Sequence, residues 1–303
     1  MTAGTGARRA AALHRLDALL PPEMARRAEE AGVRKCGMDA VTTFVLAVLA
    51  GAFIALGGVF ATTALAGTGA APWGPIRVLA GVAFSVGLIL VVVGGAELFT
   101  GNNLIVMAWA SRRVSTRALL RNWLIVFAGN FVGAGATAAL VYLGGAHRAG
   151  GGAFGITALA IAHAKVELGF AQAVALGVLC NTLVCLAVWL TLSARTTADR
   201  VLAIVPPISA FVAAGFEHSV ANMYFVPLGL LITRLDPVFA ATVGAPAPSS
   251  QALTWSAFLG RNLLPVTIGN VIGGAVLVGL VYWFIYLRGR AASRPGTPGS
   301  GSS

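Results

Sequence analysis

The side chains best suited to chemistry in this sequence lie in two short stretches of similar pattern. GAELFTGN, from Gly95 to Asn102, and GFEHSVAN, from Gly215 to Asn222, both fit G-x-E-x-x-x-x-N. Each stretch places a glutamate within an otherwise apolar run, and the second adds His218, an imidazole that titrates near neutral pH. A charged side chain costs at least ~2.5 kcal/mol at the centre of a bilayer. If the surrounding runs cross a membrane, the two stretches therefore predict a permeation path or a buried polar site.

Composition indicates that these runs do cross a membrane. Of the 303 residues, 57% are apolar and only 10% are charged, against roughly 25% charged in soluble proteins. The mean hydropathy is +0.84. These values exclude a soluble two-domain enzyme, a disordered chain and a collagen-like chain. The three cysteines form no C-x-x-C pair and no even-numbered framework, so neither a disulfide scaffold nor a zinc site is indicated, and we expect no cofactor.

Six apolar runs are long enough to cross a hydrocarbon core about 30 Å thick, which takes about 20 helical residues. These predicted segments lie at 41–66, 77–108, 121–143, 168–192, 201–233 and 262–287. Segments two and five are longer than thirty residues, so each must tilt strongly or break. The two G-x-E-x-x-x-x-N stretches fall inside these two overlong segments.

The positions of lysine and arginine predict the orientation. Sixteen of the 21 lie in the N-terminal stretch, the 109–121 and 193–200 connections and the C-terminal tail. The other five are Arg77, Arg148, Lys165, Arg234 and Arg261. By the positive-inside rule, both termini face the cytoplasm. Because this distribution also explains the net charge of +11, we expect no nucleic-acid partner.

The pattern divides the chain into three parts. Residues 1–40 form a cytoplasmic segment with a short amphipathic helix at 22–34, for which Pro22 suits the first turn and Gly32 the C-cap. Residues 41–287 form a single six-helix transmembrane domain. Residues 288–303, rich in Gly, Ser and Pro, form a disordered cytoplasmic tail. We expect a multi-pass protein of the cell inner (plasma) membrane.

The chain also contains an internal repeat. A shift of 140 residues aligns RNWLIVFAGNFVGAGATAALVYL, from Arg121, with RNLLPVTIGNVIGGAVLVGLVYW, from Arg261, with ten identities in 23 positions. A shift of 120 relates the two G-x-E-x-x-x-x-N stretches, and a shift of 130 pairs Lys35 with Lys165, the only two lysines. Because each unit has three helices, an odd number, the second unit enters the membrane from the opposite face as an inverted repeat. The half-helices after the two breaks would point their positive ends at the centre, which should attract anions.

Four motifs in order, GAELFTGN, LCNTLVCLAVW, GFEHSVANM and NLLPVTIGNVIGG, together resemble the formate/nitrite transporter family, and most closely its formate channel branch. The resemblance covers nearly the whole chain. It implies an all-α membrane protein with six transmembrane helices in a 3+3 inverted repeat, an aquaporin-like protomer, and broken helices two and five. It also implies a homopentamer in membrane lipid with one anion pore in each protomer.

The resemblance further implies a set of site residues. The family's central histidine corresponds to His218, the threonine of its broken loop to Thr100, and its vestibule lysine to Lys165, in the outer connection before segment four. Its paired pore asparagines correspond to Asn181 and Asn270. Its apolar constrictions correspond to Leu98 and Phe99 on one side and Phe84 and Phe211 on the other, with Leu88 as a further member.

Most of these residues also have a structural interpretation. Glu97 and Glu217 most simply accept the free N–H groups of the interrupted helices, a capping role. Asn181 and Asn270 could either bond to the substrate or bridge helices, and phenylalanines in apolar helices are by default ordinary core residues. His218 could donate a hydrogen bond to an anion, or it could lend the anion a proton so that the weak acid crosses a dry constriction uncharged. Thr100 could bond to His218, and Lys165 could concentrate anions at the mouth.

These features predict a channel for small monovalent anions, formate first, rather than an enzyme. Nitrite, hydrosulfide and short monocarboxylates other than formate remain alternative substrates. A pore for neutral solutes would need paired N-P-A motifs at the half-helix junctions, and the sequence has none. A membrane-embedded enzyme would need a nucleophile–base pair, a metal-ligand cluster or a phosphate loop, and the sequence offers none of these.

Overall fold

The structure, a computed structural model, describes residues 18–69, 71–242 and 253–291. Helices and their connections make up this part of the chain, which contains no strand. The prediction of an all-α protein is therefore confirmed. In chain order the helices are α1 (Pro21–Gly37), α2 (Ala40–Leu65), α3 (Trp73–Gly94), α4 (Val106–Ala110), α5 (Thr116–Leu143), α6 (Ala153–Val166), α7 (Phe170–Thr191), α8 (Thr197–Ala214), α9 (Ser219–Leu235), α10 (Pro237–Thr242), α11 (Trp255–Tyr286) and α12 (Arg288–Ala291).

Among the described residues, five helices are long and apolar enough to cross a membrane: α2, α3, α5, α7 and α11. The second predicted segment consists of α3, a non-helical stretch, a 3₁₀ helix at Gly101–Ile105 and α4. The fifth predicted segment is divided between α8 and α9. Each long segment is thus two helical pieces joined by the chain that carries a G-x-E-x-x-x-x-N stretch.

The first piece of each long segment ends in the same backbone geometry. Gly95 follows α3 with φ 80° and ψ 27°, and Gly215 follows α8 with φ 76° and ψ 27°. This left-handed conformation favours glycine, which has no Cβ to clash with the backbone. The next backbone N–H reaches back to the helix in both cases, from Ala96 to Val91 O at 2.9 Å and from Phe216 to Phe211 O at 3.0 Å. The repeated glycine therefore sets where each helix stops.

The N-terminal helix is longer than predicted. It continues past Gly32 to Gly37, so the prediction of a C-cap at Gly32 is wrong. Gly32 instead lies against Ala108, where an added Cβ would stand 3.0 Å from the alanine Cβ. The missing side chain permits this close packing. Asp39 then caps α2 by accepting the N–H of Thr42 at 2.9 Å, a bond that holds the pKa of this carboxyl below its usual range.

Two other predictions need correction. The connection before segment four contains α6, a helix of 14 residues that a search for 20-residue spans passes over, and Lys165 lies in its last turn rather than in a loop. The predicted disordered tail begins with the short helix Arg288–Ala291. Residues 292–303 of that tail and residues 1–17 of the N-terminal segment lie outside the described residues.

Within each repeat, a glycine lets two helices pack closely, and the two contacts are equivalent. A Cβ on Gly133 in α5 would collide with the backbone oxygen of Val48 in α2, and one on Gly273 in α11 would collide with that of Val178 in α7. The shifts that align the repeats, 140 and 130, relate these two contacts. Small residues that let helix backbones approach are typical of helix packing in membranes.

We expect Gly133→Ala to lower the free energy of unfolding by about 1–3 kcal/mol, because the new methyl group forces α5 away from α2. Thermal unfolding of the detergent-solubilised protein measures the effect. Gly135→Ala on the same helix is the matched control, since no atom lies within 4 Å of its added Cβ. Equal destabilisation by the two substitutions would contradict this interpretation of the glycine contact.

Candidate functional site

The two interruptions meet at a buried hydrogen bond. Thr100 Oγ1 and His218 Nε2 are 2.9 Å apart, and both side chains are buried. His218 also caps α9, because its Nδ1 accepts the backbone N–H of Ala221 at 3.0 Å. A neutral imidazole has one donor and one acceptor nitrogen, so the ring hydrogen lies on Nε2 and is donated to Thr100. The threonine hydroxyl keeps its own hydrogen, for which the described residues provide no recorded acceptor.

Two cavities approach this hydrogen bond, and we name them after the predicted orientation. The outer cavity, about 250 Å³, has His218, Lys165, Phe84 and Phe211 in its wall. The ring centroids of Phe84 and Phe211 are 5.7 Å apart in an edge-to-face contact, and Phe211 stacks on His218 at 5.9 Å. The wall of the outer cavity therefore includes two aromatic side chains and the histidine in contact with one another.

The inner cavity, about 680 Å³, is lined by Leu88, Leu98 and Gly101, the residue that follows Thr100. Phe99 differs from the other predicted constriction residues, because the described lining of neither cavity includes it. Its ring packs edge-on against Phe127, at 5.0 Å between centroids. The structure thus brings four of the five predicted constriction residues to a cavity wall and places Phe99 in the core.

A polar cluster lies beside the outer cavity. Lys165 Nζ donates to Glu217 Oε1 at 2.8 Å, and Asn222 Nδ2 donates to Glu217 Oε2 at 2.7 Å. Asn262 accepts from Asn222 at 2.7 Å and donates to the backbone oxygen of Lys165 at 2.9 Å. The glutamate is thus held by one ammonium group and by side-chain amides.

The same cluster recurs beside the inner cavity. Lys35 Nζ donates to Glu97 Oε1 at 2.6 Å, and Asn102 Nδ2 donates to Glu97 Oε2 at 2.7 Å. Asn122 accepts from Asn102 at 2.9 Å and donates to the backbone oxygen of Lys35 at 3.3 Å. We did not predict a role for Lys35 from the sequence. The shift of 130 that pairs it with Lys165 is the signal that could have found it.

The capping role predicted for Glu97 and Glu217 is wrong. Among the contacts of the described residues, both carboxylates accept from lysine and asparagine side chains and neither accepts a backbone N–H. A cation compensates the charge of a buried carboxylate better than a backbone N–H does, and the lysines provide that cation. At α9 the side chain of His218 takes the capping position instead.

Asparagines from the neighbouring long helices satisfy the interrupted backbone. Asn270 Oδ1 accepts the N–H of Ser219 at 2.9 Å, and its Nδ2 donates to the backbone oxygen of Glu217 at 2.9 Å. Asn130, which sequence reasoning missed, accepts from Phe99 N at 2.9 Å and donates to Glu97 O at 2.9 Å. The G-N pair shared by the two aligned helices was the signal for this role.

Asn181 joins the two halves near the central hydrogen bond. Its Nδ2 donates to the backbone oxygen of Asn270 at 2.7 Å, to Asn103 Oδ1 at 2.9 Å and to the backbone oxygen of Thr100 at 3.3 Å. The recorded contacts of Asn181 and Asn270 therefore match the bridging role considered for them in the sequence. Neither residue is in the described lining of either cavity.

Charge is distributed similarly around the two cavities. The outer wall has Arg77, Lys165 and Glu217, and the inner wall has Arg34, Lys35 and Glu97. Two cations and one carboxylate on each wall leave a net positive charge at both approaches to the central hydrogen bond. An arrangement of this kind raises the local concentration of anions, and the central hydroxyl can donate a hydrogen bond to one.

The chain is similar in sequence and in fold to known proteins. A family model described as formate/nitrite transporter matches residues 22–284. The formate channel FocA of Escherichia coli (strain K12) is 48% identical over 273 residues, which are 90% of this chain and 96% of that protein. The formate channel FocA of Haemophilus influenzae is 39% identical over 264 residues, 87% of this chain and 93% of that protein. A solved structure of a pentameric formate channel with formate bound aligns with a TM-score of 0.77 at 43% identity, covering 82% of this chain and 98% of that one.

Proposed function

Because the chain belongs to the formate/nitrite transporter family, we propose that it is a membrane channel for small monovalent anions and that formate is its main substrate. The observation that carries this proposal is the buried hydrogen bond between Thr100 and His218. A cavity approaches this bond from each side, and each cavity has a lysine in its wall. The bond provides a polar centre in an apolar surrounding. The anion would exchange water for a hydrogen-bond donor there.

The path begins at the lysines. Lys165 on the outer side and Lys35 on the inner side draw an anion into a cavity whose far end is apolar. Phe84 and Phe211 on one side and Leu88 and Leu98 on the other strip water from the anion and block hydrated ions. A net positive wall and a narrow apolar end together favour a small anion that sheds its hydration shell at low cost.

The geometry favours hydrogen-bond donation at the centre over an imidazolium ion. Protonation of His218 would add a hydrogen to Nδ1, which faces the N–H of Ala221 at 3.0 Å. Two donors would then oppose each other and the cap of α9 would be lost. The neutral ring instead donates to Thr100 Oγ1, and this orients the threonine hydrogen toward a passing anion. Lending a proton to the anion remains the alternative role for His218.

We extend the proposal to the architecture. The two-piece segments α3–α4 and α8–α9 are the broken second and fifth spans of six, arranged as a 3+3 inverted repeat. The paired polar clusters, whose members are related by shifts of 120, 130 and 140, support this arrangement. The protein is a homopentamer in the lipid of the inner membrane, with both termini in the cytoplasm and one pore in each protomer.

Flux measurements in proteoliposomes test the function. We expect a formate gradient to drive rapid uptake, whereas glycerol should produce no more swelling than in protein-free liposomes. Glycerol permeation without formate uptake would contradict the anion channel and favour a neutral-solute pore. If planar bilayers under opposed gradients show a nitrite flux well above the formate flux, nitrite rather than formate is the main substrate.

A further inference from the structure

Arg77 is a cation of the outer cavity that the central mechanism does not use. It lies in the first turns of α3, is half-buried, and shares the cavity wall with Lys165, Phe84, Phe211 and His218. Its guanidinium does not pair with a carboxylate among the described residues. It points instead at the backbone of α8, where Nε donates to Ala213 O at 3.2 Å and an Nη donates to Val212 O at 2.8 Å.

These two carbonyls belong to the C-terminal end of α8. The last carbonyls of a helix have no partner within the helix, and together they carry about half a negative charge. The end of α8 at Gly215 also lines the outer cavity, so this negative end faces any anion that enters. Arg77 donates to both carbonyls, of which that of Val212 also accepts the N–H of Gly215 at 3.1 Å, and its positive charge opposes the negative charge of the helix end.

The absence of a side chain at Gly215 gives the guanidinium its space. A Cβ added at this position would lie 3.2 Å from an Nη of Arg77. The glycine that sets the end of α8 thus also leaves room for the arginine to lie across that end. The ring of Trp73 also lies near the guanidinium, whose carbon is 5.8 Å from a ring centroid.

The equivalent helix end on the inner side has no such cation. α3 ends at Gly95 in the same conformation, and the carbonyls of Val92 and Val93 correspond to those of Val212 and Ala213 under the shift of 120. Within the described part of the chain, no side chain donates to these two inner carbonyls. The position equivalent to Arg77 is Thr197, so the arginine is an addition to one half of the repeat.

We propose that Arg77 is a selectivity and positioning residue of the outer cavity: by covering the negative end of α8, it makes the outer approach to the constriction attractive to small monovalent anions. The inference rests on the proposed channel function and adds to it a residue that acts through the helix end rather than by binding the anion at the centre. Lys165 contributes to this attraction, but it is paired with Glu217 at 2.8 Å, so the net positive charge of the cavity wall depends on Arg77.

The test compares Arg77→Gln with the parent protein in planar bilayers, using formate, nitrite and chloride salts at low and high ionic strength. We expect Arg77→Gln to lower the anion-to-cation permeability ratio by roughly 2- to 30-fold at low salt, the range that a charge at a helix end commands. The difference should shrink at high salt, because salt screens the helix end. Arg77→Lys should restore most of the ratio, because it retains the charge although it loses the forked contact.

Arg261→Gln is the matched control, since it removes the same charge from an exposed position that is not in the described wall of the outer cavity. An Arg77→Gln channel with the parental permeability ratio, or an Arg77→Lys channel as impaired as Arg77→Gln, would overturn the inference. If Arg77→Gln does not assemble, Arg77→Cys labelled with a cationic or a neutral thiol reagent decides in the same way. A parent protein that passes other anions but not formate would contradict the proposed substrate, while the comparison of variants on those anions would still decide the role of Arg77.

Discussion

Replacing His218 with phenylalanine is expected to reduce formate flux by roughly 10- to 100-fold, the loss that follows when Thr100 is no longer oriented to donate its hydrogen bond to the charged anion. The ring of phenylalanine fills the space of the imidazole but cannot donate to Thr100 Oγ1, which lies 2.9 Å from His218 Nε2. The threonine hydroxyl is then no longer oriented by its partner. Formate uptake by proteoliposomes at equal protein density measures the change.

Two further substitutions separate the roles of this histidine. His218→Asn keeps an acceptor for the N–H of Ala221, so it should unfold at nearly the parental temperature, whereas His218→Phe loses the cap and about 1 kcal/mol of stability. Thr100→Val removes the hydroxyl without touching the cap and should impair flux to a similar extent. Because the two residues act as a pair, the double variant should be no worse than either single one. Parental flux in a folded His218→Phe protein would exclude the central role of the imidazole.

Lys165→Met is expected to lower the free energy of unfolding by about 3–5 kcal/mol, because it leaves the buried carboxylate of Glu217 without its cation. The side chains of the pair are only 13% and 7% exposed. Adding Glu217→Gln should recover much of this loss, since the amide that replaces the carboxylate carries no charge. Urea unfolding of the detergent-solubilised protein, arranged as a double-mutant cycle, measures the coupling between the two side chains.

The inner cluster provides the matched comparison. Lys35 makes the same contact with Glu97, but its side chain is 31% exposed, so water can replace part of the lost interaction. We therefore expect Lys35→Met to be clearly less destabilising than Lys165→Met. An equal or larger effect at Lys35, or no coupling between Lys165 and Glu217, would contradict the dependence on burial. Both lysine variants should also need more formate to reach half-maximal flux.

Long apolar runs predicted helix positions well and short ones did not. The segments predicted at 41–66 and 168–192 correspond to Ala40–Leu65 and Phe170–Thr191, because the need to bury about 20 residues in lipid imposes both a length and a composition. The helix Ala153–Val166 escaped notice because it is too short for that requirement. The predicted family is confirmed, since separated motifs in a fixed order are specific even where single motifs are not.

The sequence by itself determined that this chain is a membrane protein of the formate/nitrite transporter family, that it contains two related halves, and that polar residues recur at equivalent positions in them. These properties can be inferred from the hydropathy, the spacing of motifs and the repetition within the sequence. Only the tertiary structure decided which polar groups pair. Glu97 and Glu217 bind Lys35 and Lys165 rather than free backbone N–H groups, and asparagine side chains form hydrogen bonds with the interrupted backbone instead. A hydrogen bond depends on the distance and angle between atoms, and in these pairs the residues are between 33 and 62 positions apart in the chain. Helix packing sets that geometry, and no local pattern of residue types contains it.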